Sequence, residues 1–283
     1  MREQPYIQQF RLGGVTVSLL TTGYLTWNLT QEMQAPMPPL AQEWQSTSTQ
    51  PSVIPTQCIH IQTPSLSLQI DACDHNAFLD TEYEQHEIAA PPTLVAQLTE
   101  IGVKASEITH VLLTHHHFDH ISNATVLEGK EFVPTFPKAT YYLGRADWES
   151  APVQKSLQNP HSLSSHTLGV LEQRGKLVLI DKDLALDEYV QVLDAPGESP
   201  GHKIVRLQVG AQVLYFIADL YHHPIEIAYP DWMIVRDDIV GLKRSREAFI
   251  ERALREDALF VASHIAGVRH LLSPLVSEPS DAL

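Results

Sequence analysis

The chain has 283 residues, of which 34 are acidic and 19 are Lys or Arg, and its formal net charge is −15. This length is enough to bury a substantial core, in one large domain or two small ones. The excess of negative charge repels a polyphosphate backbone, so we expect no nucleic-acid partner.

Signals for membrane insertion and secretion are not found in the sequence. No apolar run approaches the about 18 residues that a membrane-spanning helix needs. The N-terminus has no basic segment followed by a long apolar core. We therefore expect a cytoplasmic protein without a membrane partner. Cys58 and Cys73 fit such a reducing compartment as buried free thiols, although a disulfide between them stays open.

The N-terminal region predicts strands followed by an irregular segment. Residues 6–27 alternate apolar and polar side chains, which predicts two strands. Residues 28–57 are rich in Pro, Gln, Ser and Thr, and so long an irregular segment is unusual unless it is functional or disordered. We interpret it either as an exposed loop or as a flap that walls a substrate pocket or docks on a second subunit, with these side chains: Met33, Met37 and Trp44.

The rest of the chain predicts two helices and many short strands. Pro91 to Gly102 and Asp237 to Arg255 carry apolar residues at helical spacing, and both should cover a sheet. Residues 146–168 predict a second irregular stretch with surface histidines. Many short strands with few covering helices indicate an α/β layered fold. The strands are expected at about 111–114, 140–143, 176–180, 190–193, 204–209, 213–218 and 259–262.

A histidine-rich turn follows the apolar run that ends at Leu113. Neutral imidazole nitrogen and carboxylate oxygen are ordinary ligands of zinc and of neighbouring transition metals. The four candidate ligands of this turn are too many for one catalytic ion with three protein ligands, and they suit two adjacent ions. The alternative is a solvated histidine-rich loop. By the same spacing His116 points away from the site. A strand that ends there places four candidate ligands in one turn: His115, His117, Asp119 and His120.

Three later segments also end on a possible ligand. His202 follows a Pro-Gly turn, Asp219 ends a continuous apolar run, and His264 closes another. A charged group at the end of a buried strand is costly unless it is paired or bound to a metal. We therefore expect the remaining ligands at these three places.

In this order the motifs resemble those of the metallo-β-lactamase-fold hydrolases, from about Ile70 to Gly267. The resemblance implies an α/β fold, the four-layer αββα sandwich, with residues 1–283 forming a single metallo-hydrolase domain. It implies two divalent metal ions, zinc first and manganese or iron as alternatives. It further implies that His115, His117 and His202 bind the first ion, that Asp119, His120 and His264 bind the second, and that Asp219 bridges both.

The resemblance also implies a lactonase-like hydrolysis of a small ester or lactone by a hydroxide held between two metal ions. Asp119 would then carry a proton from the attacking water to the leaving oxygen. Tyr221 and His222 follow Asp219 closely, and either could hydrogen-bond the substrate oxyanion. Ordinary packing around the metal site is the alternative for both.

The chain departs from the pattern of the family in several places. Glu198 stands where many relatives carry a His, Ala218 replaces the Gly that commonly precedes the bridging Asp, and Ser122-Asn123 stand where a Gly pair often follows the first motif. The early Asp-Thr-Gly turn appears as Asp71-Ala72-Cys73, and we interpret Asp71 as a structural turn residue. None of these departures removes a ligand, so they bear on loop shape and on substrate.

Other activities of the same fold compete with this interpretation. A phosphotriester hydrolase or a β-lactamase-like hydrolase would use the same ligands, and a mononuclear iron dioxygenase keeps these histidines. The redox branch usually has Glu at the position of His117, and the β-lactamases with a Cys ligand would need a Cys near Asp219. A metal-binding module without catalysis would need more protein ligands to close two sites. The expected partner is a small-molecule substrate, and a homodimer is left open.

Overall fold

The structure, a computed structural model, describes residues 6–28, 33–34, 52–234 and 238–271. Its strands in chain order are β1 (Ile7–Leu12), β2 (Val15–Trp27), β3 (Met33–Gln34), β4 (Ser52–Gln62), β5 (Ser67–Ile70), β6 (His110–Leu112), β7 (Thr125–Glu128), β8 (Glu131–Pro134), β9 (Thr140–Gly144), β10 (Leu177–Ile180), β11 (Leu184–Ala185), β12 (Val190–Asp194), β13 (Lys203–Val209), β14 (Gln212–Phe216), β15 (Met233–Ile234), β16 (Leu259–Val261) and β17 (Arg269–His270). Its α-helices are α1 (Leu94–Glu100), α2 (Phe118–Ile121), α3 (Arg145–Trp148), α4 (Ala151–Leu157), α5 (Val170–Gln173), α6 (Pro224–Ala228) and α7 (Ile239–Arg255). Short turns of 3₁₀ helix cover His75–Phe78, Ala105–Glu107 and Ala218–Leu220, and a π turn covers Ser165–Gly169.

Two sheets form the centre of the molecule. The first has the strand order β1-β2-β4-β5-β6-β9-β10, and its last four strands run parallel. The second has the order β11-β12-β13-β14-β16-β17, with β14 and β16 parallel. Parallel neighbours bring their carboxyl ends to one edge of a sheet, so the loops after β5, β6, β14 and β16 can contribute to a common site.

Three apolar clusters separate the layers. Val17, Ile61 and Val205 belong to a cluster shared by the two sheets. Consecutive residues of β6 face opposite sides, since Val111 packs outward with helix α1 while Leu112 packs between the sheets. On the other side, α7 packs on the outer face of the second sheet. The layers are therefore helix, sheet, sheet and helix, which confirms the predicted αββα sandwich.

The predicted elements are found within a few residues of their expected positions. Residues 6–27 form β1 and β2, and the two predicted helices are α1 and α7. Helix α7 begins at a cap in which Asp238 Oδ1 accepts a hydrogen bond of 2.8 Å from the backbone N–H of Gly241. Its buried face includes Leu242 and Phe249.

The segment 28–57 is not irregular throughout, because β4 already begins at Ser52. Residues 29–32 and 35–51, including Met37 and Trp44, lie outside the described residues. The strand was missed because Pro55 interrupts it, and proline is uncommon inside a sheet. At Pro55 the strand pairs with Tyr24 of β2, whereas β5 pairs with β4 only from Ile59 onward. On the β5 side, Pro55 therefore has no partner strand that would need its missing N–H.

The expectation of an irregular stretch at 146–168 was also wrong. This region contains α4 and parts of α3 and of the π turn, and these pieces are too short to show a helical period in the sequence. Its histidines differ: His161 is exposed, while His166 is half-buried and stacks on Phe132 with ring centroids 4.2 Å apart.

Both cysteines are buried free thiols. Burial raises the pKa of Cys58 to about 12, so this thiol stays protonated at neutral pH. Within the described part of the chain, the longest helix, α7, has 17 residues, and no helix combines the length and apolar character needed to cross a membrane.

Candidate metal centre

The candidate metal ligands come from four loops at one edge of the sandwich. His115, His117, Asp119 and His120 lie directly after β6 and in α2. Glu198 and His202 lie in the loop between β12 and β13, which is rich in Pro and Gly. Asp219 follows β14 and His264 follows β16. Both sheets thus supply ligands to the same place.

The first group of ligand atoms comes from His115, His117, Glu198 and Asp219, and these atoms all lie within 4.8 Å of one another. His115 Nε2 lies 2.9 Å from His117 Nδ1 and 3.4 Å from Glu198 Oε2. Glu198 Oε1 lies 3.3 Å from His117 Nδ1. Asp219 Oδ2 lies 3.7 Å from His115 Nε2 and completes the group.

The second group comes from Asp119, His120, Asp219 and His264 and is equally compact. Asp219 Oδ2 lies 3.3 Å from the Nε2 atoms of both His120 and His264. Asp119 Oδ2 lies 3.5 Å from His120 Nε2 and 3.3 Å from His264 Nε2. Asp219 therefore belongs to both groups.

These spacings fit metal ligands. Ligand atoms at about 2.1 Å from one tetrahedral zinc ion stand roughly 3.4 Å apart. The carboxylate–imidazole distances in the two groups run from 3.3 to 3.7 Å. Asp219 Oδ1 is buried and has no hydrogen-bond partner among the described residues, as a carboxylate reserved for a cation would be.

In three of the histidine rings, the nitrogen that points away from the ligand groups lies beside an oxygen. His120 Nδ1 lies 2.8 Å from Asp71 Oδ2, His202 Nδ1 lies 3.0 Å from the Ala195 carbonyl, and His264 Nδ1 lies 2.9 Å from the Pro55 carbonyl. Each such contact favours the tautomer with the proton on Nδ1, which leaves the Nε2 lone pair directed at the centre. His202 Nε2 accepts a hydrogen bond of 3.3 Å from the backbone N–H of Asp219.

Asp71 acts as the structural turn residue that the sequence indicated. Its backbone has a φ of 57°, in the left-handed region that Asp tolerates better than most residues. Its carboxylate accepts hydrogen bonds from the N–H of Thr114 (2.7 Å) and from Thr114 Oγ1 (2.9 Å), besides its contact with His120. Asp71 thus fixes both the start of the histidine-rich turn and one of its rings.

Ala218 also has a left-handed backbone, with a φ of 46°. A residue other than glycine in this region costs of order 1–3 kcal/mol. Glycine carries no such cost, so a Gly at this position would adopt the same turn without strain. The strained turn directs Asp219 to its position between the two groups.

Asp147 joins the two main ligand loops. Its carboxylate accepts hydrogen bonds from the N–H of His116 (3.0 Å), from Ser199 Oγ (3.0 Å) and from the N–H of Gly201 (2.7 Å). His116 Nδ1 also lies 3.3 Å from Asp147 Oδ2, so this ring contacts Asp147 and belongs to neither ligand group. The loop that contains Gly201 also packs closely against the start of helix α3. This contact requires glycine at position 144, because a Cβ on Gly144 would lie 2.0 Å from the Gly201 carbonyl oxygen.

His222 and Tyr221 lie in different surroundings. His222 Nε2 is 3.1 Å from Asp219 Oδ2, and its ring stacks on that of His264 with centroids 5.6 Å apart. Tyr221 packs in the apolar cluster under α7, with the Arg246 guanidinium 4.4 Å from its ring centroid. Of the two residues, the geometry brings His222 to the ligand groups.

The buried ion pair of Glu226 and Arg246 holds the backbone of His222 in place. Glu226 Oε2 accepts hydrogen bonds from the N–H groups of His222 (2.6 Å) and His223 (3.1 Å). Glu226 Oε1 lies 2.6 Å from Arg246 Nη2, and Arg246 Nε donates to the Leu220 carbonyl at 2.6 Å. Arg246 therefore holds both ends of the segment that carries His222.

We expect Glu226 to make the stability of the protein depend on acid pH. Burial alone would raise its pKa, but Arg246 and hydrogen bonds from His222 outweigh burial and lower the pKa from 4.5 to about 2. A depressed carboxylate pKa stabilises the fold above about pH 4.5, and this contribution, roughly 3 kcal/mol, falls as the pH drops toward 2. Urea unfolding of the E226Q variant between pH 5 and 3 should therefore show a weaker pH dependence than the native protein. An unchanged dependence would contradict this assignment.

The charges of the two groups are coupled. Burial by itself lowers the pKa of His264, but Asp219 and Asp119 outweigh it and raise the value to about 10. Burial and the neighbouring His120 hold the pKa of His115 well below its usual range. His264 therefore binds a proton more strongly than His115 does, because two carboxylates lie beside it. A metal cation in the second group would compete with this proton.

The structure therefore brings together all but one of the residues expected to bind metal. His202 lies beside the first group, with its ring centroid 5.2 Å from that of His115, while Glu198 takes its place among the grouped atoms. Glu198 was seen in the sequence only as a departure from the family pattern. Asp147, Glu226 and Arg246 gave no signal, because they lie in segments without a motif.

The chain is similar in fold to several solved structures. The chain resembles AidC, a dizinc quorum-quenching lactonase, at 22% identity over 93% of this chain and 92% of that one, with a TM-score of 0.72. It resembles the hydrolase AbOPH of the β-lactamase superfamily at 16% identity, over 95% and 94% of the two chains, with a TM-score of 0.76. It also resembles an N-acyl homoserine lactone hydrolase with N-hexanoyl-L-homoserine at its catalytic metal centre, at 16% identity, 91% and 93% coverage and a TM-score of 0.63.

These identities are low and show a shared fold. No curated protein sequence matches the chain. The family model described as the metallo-β-lactamase superfamily matches residues 77–264, which is more than half of the chain. Together with the αββα layers and the ordered ligand loops, this match shows that the chain belongs to the metallo-β-lactamase superfamily.

Proposed function

We propose that this protein is a metal-dependent hydrolase that binds two divalent ions and opens a small ester or lactone. The observation that carries the proposal is the pair of compact ligand groups that share Asp219. Two such groups suit two adjacent ions, since two-metal sites place their ions about 3.5–4 Å apart. The proposed ligands are His115, His117 and His202 for the first ion, Asp119, His120 and His264 for the second, and Asp219 for both.

Zinc is the first candidate for both ions, because imidazole and carboxylate are its common ligands, and manganese or iron are the alternatives. When bound, a pair of such ions supplies an activated water and polarises a carbonyl oxygen. We further propose that residues 1–283 form one domain. A homodimer is compatible with the proposal but is not required by it.

Asp119 is the proposed proton carrier. Burial alone raises the pKa of its carboxyl group, but His120 and His264 outweigh burial and hold the pKa well below the usual range. Asp119 is therefore an anion at neutral pH and can accept a proton from the attacking water. In a lactone the leaving alkoxide stays tethered to the acyl group, so the same carboxyl group can return the proton to it.

His222 is the proposed donor to the substrate oxyanion. Its position 3.1 Å from Asp219 Oδ2 sets it beside the reacting centre, and Glu226 fixes the backbone on which it stands. A donor already oriented toward developing charge costs little reorganisation during the reaction. Tyr221 was the other candidate for this role, and its packing against Arg246 favours His222 instead.

We expect the D71N variant to bind metal more weakly than the native protein. The amide cannot accept the Nδ1–H of His120 and both Thr114 donors as the carboxylate does. Loss of an oxygen partner behind a ligand histidine typically weakens metal binding about 10–100-fold. Competition of the apoprotein with a chromophoric zinc chelator measures this change. The D181N variant is the control, since Asp181 is an exposed partner of Arg145, and equal affinities of D71N and D181N would contradict the role of Asp71.

We expect a lactone or an aryl ester to be the best substrate class. The AidC and N-acyl homoserine lactone hydrolase structures support lactones as the first compounds to test. The measurement is kcat/KM of the metal-reconstituted protein on acyl-homoserine lactones, aryl esters, phosphotriesters and β-lactams. A tenfold preference for a phosphotriester or a β-lactam, equivalent to about 1.4 kcal/mol, would replace the lactonase-like assignment.

The dioxygenase alternative gives a different result in solution. A mononuclear iron dioxygenase would hold one iron per chain and consume oxygen with a persulfide. The proposal instead predicts two ions per chain and no oxygen uptake. Elemental analysis and an oxygen electrode separate the two activities.

A further inference from the structure

The first ligand group contains one residue that the order of the motifs did not predict as a ligand. We propose that Glu198 is a metal ligand of the first site, alongside His115 and His117, and that its carboxylate shifts the metal preference of this site from Zn²⁺ toward Mn²⁺ or Fe²⁺. The inference rests on the proposed function, because it presupposes that the site binds metal ions.

The distances place Glu198 as a ligand. Its two carboxylate oxygens each face a ring nitrogen, Oε2 at 3.4 Å from His115 Nε2 and Oε1 at 3.3 Å from His117 Nδ1. Both values match the roughly 3.4 Å that separates two atoms bound to one tetrahedral ion at about 2.1 Å. The same ring nitrogens are those that face Asp219 or each other. A cation among them would therefore contact Glu198 as well.

The loop holds Glu198 in this position from two sides. On one side, Asp147 binds Ser199 Oγ and the N–H of Gly201. On the other side, Ser245 Oγ of helix α7 donates a hydrogen bond of 2.6 Å to the Pro196 carbonyl. Between these anchors the side chain of Glu198 is fully buried, with no exposed area.

Gly197 makes this turn possible. Its φ of +124° lies in a region that side chains rarely adopt, and a Cβ would lie 1.9 Å from the backbone nitrogen of Leu242. The loop therefore packs directly on helix α7. The residue after Gly197, Glu198, is directed inward to the ligand group, so a carboxylate stands at the place where the family pattern suggests a His.

The added carboxylate changes the charge and the donor set of the site. Two carboxylates, Glu198 and Asp219, now face the same imidazole of His115. The ligand group itself holds four donors, His115, His117, Glu198 and Asp219, and His202 beside it is the proposed fifth. Five donors at one ion would be more than tetrahedral zinc uses. Carboxylate oxygen and higher coordination numbers suit harder ions such as Mn²⁺ better than a set dominated by imidazole does.

The test compares metal binding by apoproteins prepared by chelation and dialysis. The variants are E198Q, which keeps the shape and removes the charge, and E198H, which places an imidazole there. E149Q is the control, because Glu149 is an exposed carboxylate with 63% of its side chain accessible. Mn²⁺ binding is followed by the EPR signal of the free ion, and Zn²⁺ binding by competition with a chromophoric chelator. Circular dichroism checks the fold of each variant.

We expect E198Q to weaken one of the two stepwise Mn²⁺ dissociation constants at least about tenfold, with a smaller effect on Zn²⁺. E198H should keep Zn²⁺ binding and lose Mn²⁺ binding, and it carries the same test should E198Q not fold. E149Q should bind both ions as the native protein does. If both Glu198 variants retain the native ratio of Mn²⁺ to Zn²⁺ affinity, Glu198 is not a ligand, while two ions bound by the native protein would still support the proposed function. If the native apoprotein binds neither ion, both proposals fail.

Discussion

Replacing Asp219 with Ala should remove both metal ions and activity together. Asp219 is the residue shared by the two ligand groups, and its Oδ2 lies 3.3 Å from both His120 and His264. Without it neither group keeps its bridging carboxylate, so no single remaining ligand can hold the two ions side by side. We expect less than one ion per chain by elemental analysis after dialysis. We expect a loss of kcat/KM of at least about a thousandfold, equivalent to ~4 kcal/mol.

The matched comparison lies within the histidine-rich turn. H117A removes a grouped ligand, whereas H116A removes a ring that contacts Asp147. We expect H117A to lose metal, and H116A to keep both ions and to lose less than about tenfold in kcat/KM. Equal loss of metal in these two variants would mean that the register of the turn is wrong. A D219A protein that retains two ions would refute the shared role of Asp219.

Replacing Arg246 with Met should cause a large loss of stability. The change leaves the buried Glu226 carboxylate without its guanidinium partner and removes the donor to the Leu220 carbonyl. Removing one member of a buried ion pair typically costs about 3–5 kcal/mol, since the remaining charge stays buried. Urea unfolding of the apoprotein at pH 7 measures this loss without a contribution from metal binding.

The control is an exposed ion pair on the same helix. Arg255 Nη1 lies 3.6 Å from Glu251 Oε1, and both side chains are largely exposed. Replacing Arg255 with Met should cost less than about 1 kcal/mol, because water screens exposed pairs. The double variant R246M/E226Q should recover part of the loss, since no full charge remains buried. A loss below about 1 kcal/mol for R246M alone would contradict the structural role of this pair.

The sequence predicted the fold well where elements were long or ended on a ligand. The sequence indicated strands that end at one site, because apolar runs precede Asp219, His264 and the histidine-rich turn. The structure has strands at these three places. Such signals work because a buried strand must be apolar on both faces, so a charged residue at its end stands out. The helices of region 146–168 were missed because one or two turns are too short to show a period.

The supporting residues could not be predicted for a different reason. Asp147 is 31 residues from His116 and 52 from Ser199, and it binds both. Contacts across such separations depend on how two sheets pack, and no local pattern encodes them. Glu198 shows the same limit: its position in the loop was visible in the sequence, but its direction depends on Gly197 packing against helix α7.

The position of His264, the last of the proposed ligands in the sequence, is fixed by contacts with strand β4. The side chain of Gln57 in β4 donates to the carbonyls of Ala262 (2.8 Å) and Ile265 (2.7 Å), and the Pro55 carbonyl holds the ring of His264. These bonds join residues more than 200 positions apart, and forming them requires the closure of a long loop, which costs conformational entropy. During synthesis the second ligand group therefore cannot be completed until the segment around His264 has left the ribosome. Until then Asp119, His120 and Asp219 form an incomplete ligand group, so full metal binding at the second group must follow synthesis of the segment around His264.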